Sequence, residues 1–140
     1  MNSEIWGPHA WMFLHSITFT YPHEPDFKVK KHFLNFFDNL KNIIPCEICK
    51  KHYINNLQKH PLIDSLNSKE DLIKWLVNIH NEINIINGKR VWTYDEVVEH
   101  YDKLYENPMK KIDKTYGMII GVLLLVIICC SVYIYNNKKK

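Results

Sequence analysis

Apolar residues over the first three quarters of the chain recur at helical spacing, without sustained alternation of apolar and polar positions. This pattern predicts helices over residues 8–20, 27–43, 45–61, 68–88 and 93–107, because positions i, i+3, i+4 and i+7 form one face of a helix. Short connections between the predicted helices favour antiparallel packing. We therefore expect an all-α domain over residues 1–108, a four-helix bundle plus a short fifth helix.

Capping residues indicate where several of these helices begin and end. Ser68 with Asp71, and Thr93 with Glu96, have the spacing of N-terminal capping boxes. Gly88 is expected to end the fourth helix, since glycine readily adopts the left-handed conformation of a C-terminal cap. The prolines at positions 8 and 45 suit the first turns of the first and third helices.

A long uncharged segment follows the predicted bundle. Residues 117–134 read GMIIGVLLLVIICCSVYI, and Tyr116 and Tyr135 flank them. About 20 apolar residues cross a bilayer as a helix, and tyrosines concentrate at its two interfaces. We therefore expect a transmembrane helix over 116–135 rather than a buried soluble helix, between a basic neck at 109–115 and a basic tail at 136–140.

The first residues lack the basic region and continuous apolar run of a signal peptide. The expected topology is therefore a tail-anchored, single-pass membrane protein whose N-terminal domain faces the cytosol. The net charge of +3 equals the charge of the three terminal lysines, so the domain itself is nearly neutral. Because it has no basic stripe, we do not expect nucleic acid among its partners.

Two of the four cysteines form the single C-x-x-C of the chain, Cys46 and Cys49, directly after a proline. Cysteines at this spacing near a helix start can close a disulfide, and free backbone N–H groups there favour a reactive thiolate. Two alternatives are a pair of buried free thiols and a zinc site that adds His52 and His60. Cys129 and Cys130 lie in the apolar segment, where they are expected to be ordinary small residues or sites of lipidation.

Two further clusters combine polar and aromatic side chains at helical spacing. His80, Asn81 and Asn84 can share a face of the fourth helix, which suggests a polar ligand, although a solvated polar face would show the same pattern. Trp11 and His15 are four residues apart in the first helix, where a core tryptophan and a satisfied core histidine are the ordinary interpretation.

The order of these motifs resembles that of the Erv/ALR family of FAD-linked sulfhydryl oxidases, most closely the small members from large cytoplasmic DNA viruses. The chain carries W-G-P-x-x-W-x-x-x-H, then Y-P, then P-C-x-x-C-x-x-H, and then W-x-x-x-x-H-N-x-x-N-x-x-x-G-K. Each motif alone is weak, whereas four in this order and spacing are specific. The similarity extends over nearly the whole predicted domain.

The resemblance implies an enzyme, a homodimer with FAD bound in the bundle. A protein thiol would attack Cys46, Cys49 would pass two electrons to the flavin, and O2 would accept them to give hydrogen peroxide. The family's cofactor-binding positions correspond to Gly7, Trp11, His15, Tyr21, His52, His80, Asn81, Asn84, Lys89, Trp92 and Tyr101. The competing hypotheses are a membrane-anchored zinc-binding module and a non-catalytic helical assembly module.

Two departures from the family pattern shape these expectations. Val77 and Tyr94 stand where cellular relatives often carry a structural disulfide, and no shuttle pair of cysteines lies outside the apolar segment. Electrons are therefore expected to come directly from a separate thiol protein, either thioredoxin-like or a virion protein. The membrane would be that of the host cell or of the virion.

Overall fold

The computed structural model describes residues 2–106 and 108–138, and all of its regular structure is helical. The helices are α1 (Ser3–Phe19), α2 (Phe27–Ile43), α3 (Glu47–Lys59), α4 (Lys69–Ile86), α5 (Tyr94–Tyr105) and α6 (Pro108–Lys138), with a 3-10 helix at Leu62–Ser65 between α3 and α4. The described residues contain no strand. The predicted all-α class is therefore confirmed.

The chain divides into two compact units, Met1–Tyr101 and Asp102–Lys140. The first unit contains α1 to α4 and most of α5. Within it, α4 packs against α1, α3 and the 3-10 helix, and α2 packs against α3 and the 3-10 helix. The apolar stripe of α4 is therefore the centre of the core.

Aromatic and aliphatic side chains from four helices fill the main core of this unit. Phe37 of α2 lies edge-on to Trp75 of α4, with ring centroids 5.1 Å apart. The Tyr53 hydroxyl donates to the Phe37 carbonyl at 2.8 Å, and burial raises the pKa of that hydroxyl. The proton therefore stays on the oxygen, and a buried polar group is satisfied without water.

A smaller core cluster joins α4 to α5. Ile73 and Val77 of α4 pack with Val97 and Tyr101 of α5, and Phe19 and Trp92 cover the cluster. This arrangement places α5 beside Val77, about one turn before the predicted polar cluster of α4.

Most predicted helix limits are confirmed. The limits of α2 match the prediction, and Ser68 caps α4 by accepting from the Asp71 N–H at 3.1 Å. Thr93 and Glu96 form the expected reciprocal cap of α5. Gly88 has φ +62° after the last turn of α4.

Two helix starts differ from prediction. Helix α1 begins five residues before Pro8, because the Asn2 side chain accepts from the Glu4 N–H at 2.9 Å and caps an earlier turn. Pro8 consequently lies inside the helix and not in its first turn. Helix α3 begins at Glu47 with Cys46 as its cap, so Pro45 lies before the helix.

The second unit contains the end of α5 and the 31-residue helix α6. Side chains from 116 to 130 are exposed. Among the residues that the structure describes, no helix is found to be long and apolar enough to cross a membrane. The predicted transmembrane helix is thus not confirmed, and the side chains of the predicted basic neck lie outside the described residues.

Candidate functional site

The two cysteines of the C-x-x-C are joined by a disulfide, with their Cα atoms 5.2 Å apart. Cys46 is the N-cap residue of α3 and has extended backbone angles, whereas Cys49 lies one turn into the helix. Both side chains are half-buried. The Cys49 N–H donates to Cys46 Sγ at 3.3 Å. A backbone donor therefore points at the sulfur of the residue that caps the helix.

Charges around the pair favour a thiolate on Cys46. Glu47 is paired with Lys50 at 2.8 Å, and the hydrogen bond from Lys50 holds the pKa of Glu47 below its ordinary value. Lys51 adds an exposed cation. With the positive end of the α3 dipole, these groups stabilise negative charge on the capping sulfur when the disulfide opens.

A cavity of about 160 Å3 opens between α1, α4 and α5. Its lining is mostly aromatic and contains three histidines: the full set is His15, Val77, His80, Asn81, Trp92, Val97, His100 and Tyr101. Trp11 stacks on His80 with ring centroids 4.0 Å apart and an interplanar angle of 7°. The site is therefore suited to a flat aromatic ligand.

The two histidines predicted for this site share a hydrogen bond. His15 Nε2 and His80 Nδ1 are 3.1 Å apart, so one ring donates and the other accepts. Burial, with the nearby His80 and His100, lowers the pKa of His15 to about 3. Burial, with the charge of Lys89, lowers the pKa of His80 to about 4. Both rings are neutral near neutral pH.

Asn81 holds the loop between α4 and α5 against the cavity. Its amide donates to the Trp92 carbonyl at 2.7 Å and accepts from the Trp92 N–H at 2.9 Å. The two bonds position Trp92, whose ring lines the cavity. Asn84 is buried, and its backbone carbonyl accepts a hydrogen bond from the Lys89 N–H at 2.8 Å.

The structure brings five of the residues predicted to bind cofactor to the cavity wall, which are His15, His80, Asn81, Trp92 and Tyr101. Tyr21 is instead in the main core, where its hydroxyl donates to the Leu66 carbonyl at 2.9 Å. A Cβ added at Gly7 would meet no atom within 4 Å, so packing does not require glycine there. His52 is half-buried on α3, and neither Asn84 nor Lys89 is part of the lining.

His100 is a cavity residue that sequence reasoning missed. Its ring lies 5.7 Å from the ring of Trp92 and 5.3 Å from that of Tyr101, centroid to centroid. The available signal was its place three residues after Val97 and beside Tyr101, because residues three apart share a helix face.

A larger, more open cavity of about 300 Å3 lies between the end of α3, the 3-10 helix and α4. Charged side chains of both signs line it, including Lys59, Asp64 and Lys74. None of the residues predicted to bind the cofactor is in its lining, which does include His60 of the zinc alternative. It therefore lies apart from the aromatic cavity.

The zinc alternative finds no support in the described residues. They contain no group of three histidine, cysteine or acidic side chains placed to hold a metal ion. The sulfurs of Cys46 and Cys49 are bonded to each other, whereas zinc binds thiolates.

A helical fold with a C-x-x-C disulfide at a helix start and an aromatic cavity beside the central helix defines a thiol–disulfide redox protein. Sequence comparison then specifies the family. A sequence model of the Erv1 / Alr family matches residues 8–103. The chain belongs to this family.

Several curated proteins are similar to this chain. A probable FAD-linked sulfhydryl oxidase of Acanthamoeba polyphaga mimivirus is 38% identical over 112 residues, which cover 79% of this chain and 78% of the relative. An FAD-linked sulfhydryl oxidase of African swine fever virus is 30% identical over 106 residues, covering 76% and 84% of the two chains. The similarity thus includes viral members of the family.

A solved structure shows the same fold. The FAD-binding domain of Erv1 from Saccharomyces cerevisiae superposes with a TM-score of 0.69 at 24% identity, over 74% of this chain and 96% of that one.

The residues of the aromatic cavity fit part of an FAD molecule. His15 Nδ1 is buried there without a hydrogen-bond partner, and a nucleotide ring nitrogen or hydroxyl would satisfy it. The cavity of about 160 Å3 is below the ~300 Å3 of pockets that enclose a whole drug-sized ligand. It therefore accommodates one ring portion of the dinucleotide, with Asn81 and Trp92 fixed at its edge.

Proposed function

We propose that this protein is an FAD-dependent thiol oxidase that forms disulfides in partner proteins. The observation that carries the proposal is the Cys46–Cys49 disulfide at the start of α3, in a chain of the Erv1/Alr family. A half-buried, oxidised C-x-x-C is the form that accepts electrons from thiols. The names of the viral relatives, FAD-linked sulfhydryl oxidases, support the same activity.

We assign the partner-facing role to Cys46 and the inner role to Cys49. Cys46 caps α3, whereas Cys49 lies on the helix face that carries buried Tyr53 and Asn56. A partner thiolate attacks Cys46 Sγ, the bond between the cysteines breaks, and Cys49 leaves as a thiolate. A second thiolate of the partner attacks the partner's sulfur in the mixed disulfide and releases Cys46 as a thiolate. The Cys46 thiolate accepts a hydrogen bond from the Cys49 N–H. The pair then holds the two electrons.

Trp11, His15, His80, Trp92 and Tyr101 are proposed to hold FAD, with their rings packed on its flat portions. When bound, FAD supplies an acceptor for two electrons and passes them to O2, which gives hydrogen peroxide. Neutral His15 and His80 can each donate or accept a hydrogen bond there. Asn81 is a further proposed contact, because it lines the same cavity. Family resemblance alone supports the remaining proposed contacts, which are Gly7, Tyr21, His52, Asn84 and Lys89.

The test uses the full chain purified in non-ionic detergent. We expect a bound flavin spectrum, oxygen uptake on addition of a small dithiol, and hydrogen peroxide as product. Cys49→Ser should keep the flavin and abolish turnover, and Cys46→Ser should also abolish turnover. Cys129→Ser provides the matched control outside the site and should be fully active. A folded protein without flavin, or dithiol oxidation that survives loss of Cys49, contradicts the proposal.

We further propose that the protein is a homodimer through the outer faces of α1 and α2. Ile5, Met12 and Phe13 of α1 are exposed at 72%, 48% and 59%, and Phe13 packs edge-on to Phe36 of α2 at 6.5 Å. Exposed apolar clusters of this kind mark protein interfaces. Phe13→Asp should give a monomer in sedimentation analysis, whereas Ile63→Asp, a change at an apolar position of similar exposure in the 3-10 helix, should not. A monomeric unmodified chain contradicts the proposal.

Residues 117–134 are proposed to anchor the protein in a host or virion membrane, with the catalytic domain on the cytosolic side. The support is the absence of charge in this segment and the tyrosines at its edges. In cells, the full chain should resist alkaline extraction from membranes, and a variant without 117–134 should be released. Protease should remove the N-terminal domain from intact membrane vesicles. Release of the full chain by alkali refutes the anchor.

The electron donor is proposed to be a separate protein, thioredoxin-like or a component of the virion. The sequence offers no cysteine besides the redox pair outside 117–134, so no second pair in these residues could relay electrons. Mixed disulfides trapped on Cys49→Ser in cells should identify the donor by mass spectrometry. The control is a double variant that carries both Cys46→Ser and Cys49→Ser. If it captures as much protein as Cys49→Ser alone, no such donor reacts with the pair.

A further inference from the structure

Three exposed apolar residues lie within three positions of Cys46 in the sequence. Ile43 ends α2 and is 64% exposed, and Ile48 lies between the two cysteines and is 62% exposed. Pro45 immediately precedes Cys46 and is also exposed. Ile44, in the same stretch, instead packs against the main core. We call Ile43, Pro45 and Ile48 the apolar rim.

We expect the rim to contact a protein that reacts with the disulfide, because it adjoins Cys46 in the sequence. Thiol–disulfide exchange proceeds through a covalent mixed disulfide, so the partner backbone comes within a few bonds of Cys46 Sγ. Side chains one to three residues from Cys46 then lie against the partner. Single exposed apolar residues are ordinary on protein surfaces, but these three are placed where the reaction itself requires a contact.

The two residues between the cysteines, Glu47 and Ile48, differ in what they offer a partner. Glu47, the other residue between the cysteines, is already paired with Lys50 at 2.8 Å. Ile48 therefore offers a reacting protein exposed apolar surface, whereas Glu47 has already formed an ion pair. Recognition by removal of apolar surface from water follows.

We infer that the apolar rim selects partner segments in which the reactive cysteine is flanked by apolar side chains, with Ile48 as the main specificity determinant. This inference rests on the proposed thiol oxidase function. The partner segment lies along the rim, its thiolate bonds to Cys46 Sγ, and Cys49 departs as the thiolate. The two partner electrons enter the cysteine pair, as in the overall reaction.

The test isolates docking from electron transfer to flavin and oxygen. A Cys49→Ser variant presents Cys46 as a lone thiol. The probes are two short peptides, each with one cysteine blocked as a thionitrobenzoate disulfide. One peptide flanks its cysteine with leucine and valine, and the other with serine and glycine. Attack by Cys46 joins it to the peptide sulfur and releases the coloured thionitrobenzoate anion, whose absorbance gives the rate.

We expect the apolar peptide to react faster than the polar peptide. Adding Ile48→Ala should lower the ratio of the two rates roughly tenfold. The substitution removes three carbon atoms, and this loss is expected if about half of their surface is buried against the apolar peptide. Ile63→Ala is the matched control, because Ile63 is 61% exposed but lies in the 3-10 helix. It should leave the ratio unchanged. Ile43→Ala should give a smaller decrease than Ile48→Ala.

Several results would overturn the inference. One is an equal rate for the two peptides, and another is an equal loss of both rates in Ile48→Ala, which would indicate an effect on Cys46 itself. A change in sedimenting mass on Ile48→Ala would assign the rim to a second copy of the chain. Failure of the proposed function is recognised separately, since the unmodified chain would then not oxidise a small dithiol.

Discussion

Acid should destabilise the first unit through the two neutral histidines of the cavity. His15 and His80 share a hydrogen bond at 3.1 Å and have pKa values of about 3 and about 4 in the folded protein, against an ordinary value of 6.5. A folded pKa below the unfolded one means that protons bind the unfolded chain first. The stability that these residues contribute is complete above pH 6.5 and is lost as the pH falls toward 4 and 3.

The size of the effect follows from the pKa differences. A pH of about 5 is roughly 1.5 units below the pKa of an unfolded histidine, whereas both folded rings remain neutral there. Each pH unit corresponds to about 1.36 kcal/mol of unfolding free energy. Each residue should therefore cost about 2 kcal/mol of unfolding free energy between pH 7 and about pH 5. The pair should cost about 4 kcal/mol, a large share of the ~5–15 kcal/mol that stabilises a typical domain.

Urea unfolding of the full chain in detergent, followed by tryptophan fluorescence, measures this loss. All four tryptophans lie in the first unit, so the signal reports on that unit. The His15→Gln, His80→Gln double variant should lose about 4 kcal/mol less than the unmodified chain over this pH range, with free FAD held constant. His23→Gln, at an exposed loop position, controls for removal of an imidazole. An unchanged pH dependence in the double variant would refute the reasoning.

Three further changes test local features of the first unit by the same unfolding measurement. Asn81→Ala should cost about 2 kcal/mol, because two hydrogen bonds to the Trp92 backbone are lost; a loss below half of that would mean that the loop keeps its place without them. Gly88→Ala should cost about 1 kcal/mol, since φ is +62° but no atom crowds the new Cβ; a stabilised variant would contradict this assignment. Tyr53→Phe should cost about 1 kcal/mol through the lost bond to the Phe37 carbonyl, and no change would show that water replaces the hydroxyl.

Local signals were sufficient for the N-terminal caps of α4 and α5. Ser68 and Thr93 cap α4 and α5 as predicted, since a capping box depends only on residues three positions apart. The start of α1 was missed because Asn2 supplied a cap beyond the apolar stripe that defined the predicted segment. Local sequence therefore predicts where a helix can begin, but not which of two possible starts is used.

The candidate site was predicted less completely, because its cavity is formed by three helices. The redox pair and five lining residues were predicted from the motifs and the family resemblance, whereas His100 became visible only when α5 was packed against α4. Packing also decides that the ring of Tyr21 lies in the main core and outside the cavity lining, and its predicted cofactor contact stays a prediction. A side chain's direction depends on the neighbouring helix as well as on its own.

The sequence by itself determined the all-helical class, the reactive cysteine pair and the family, because periodicity, caps and motif order are properties of the chain. The tertiary structure alone decided that His15 and His80 share a hydrogen bond and that Asn81 holds the backbone of Trp92. It also decided which apolar residues near Cys46 remain exposed. Each of these depends on distances between helices far apart in sequence, or on the surface left uncovered after packing. No local pattern along the chain encodes such distances.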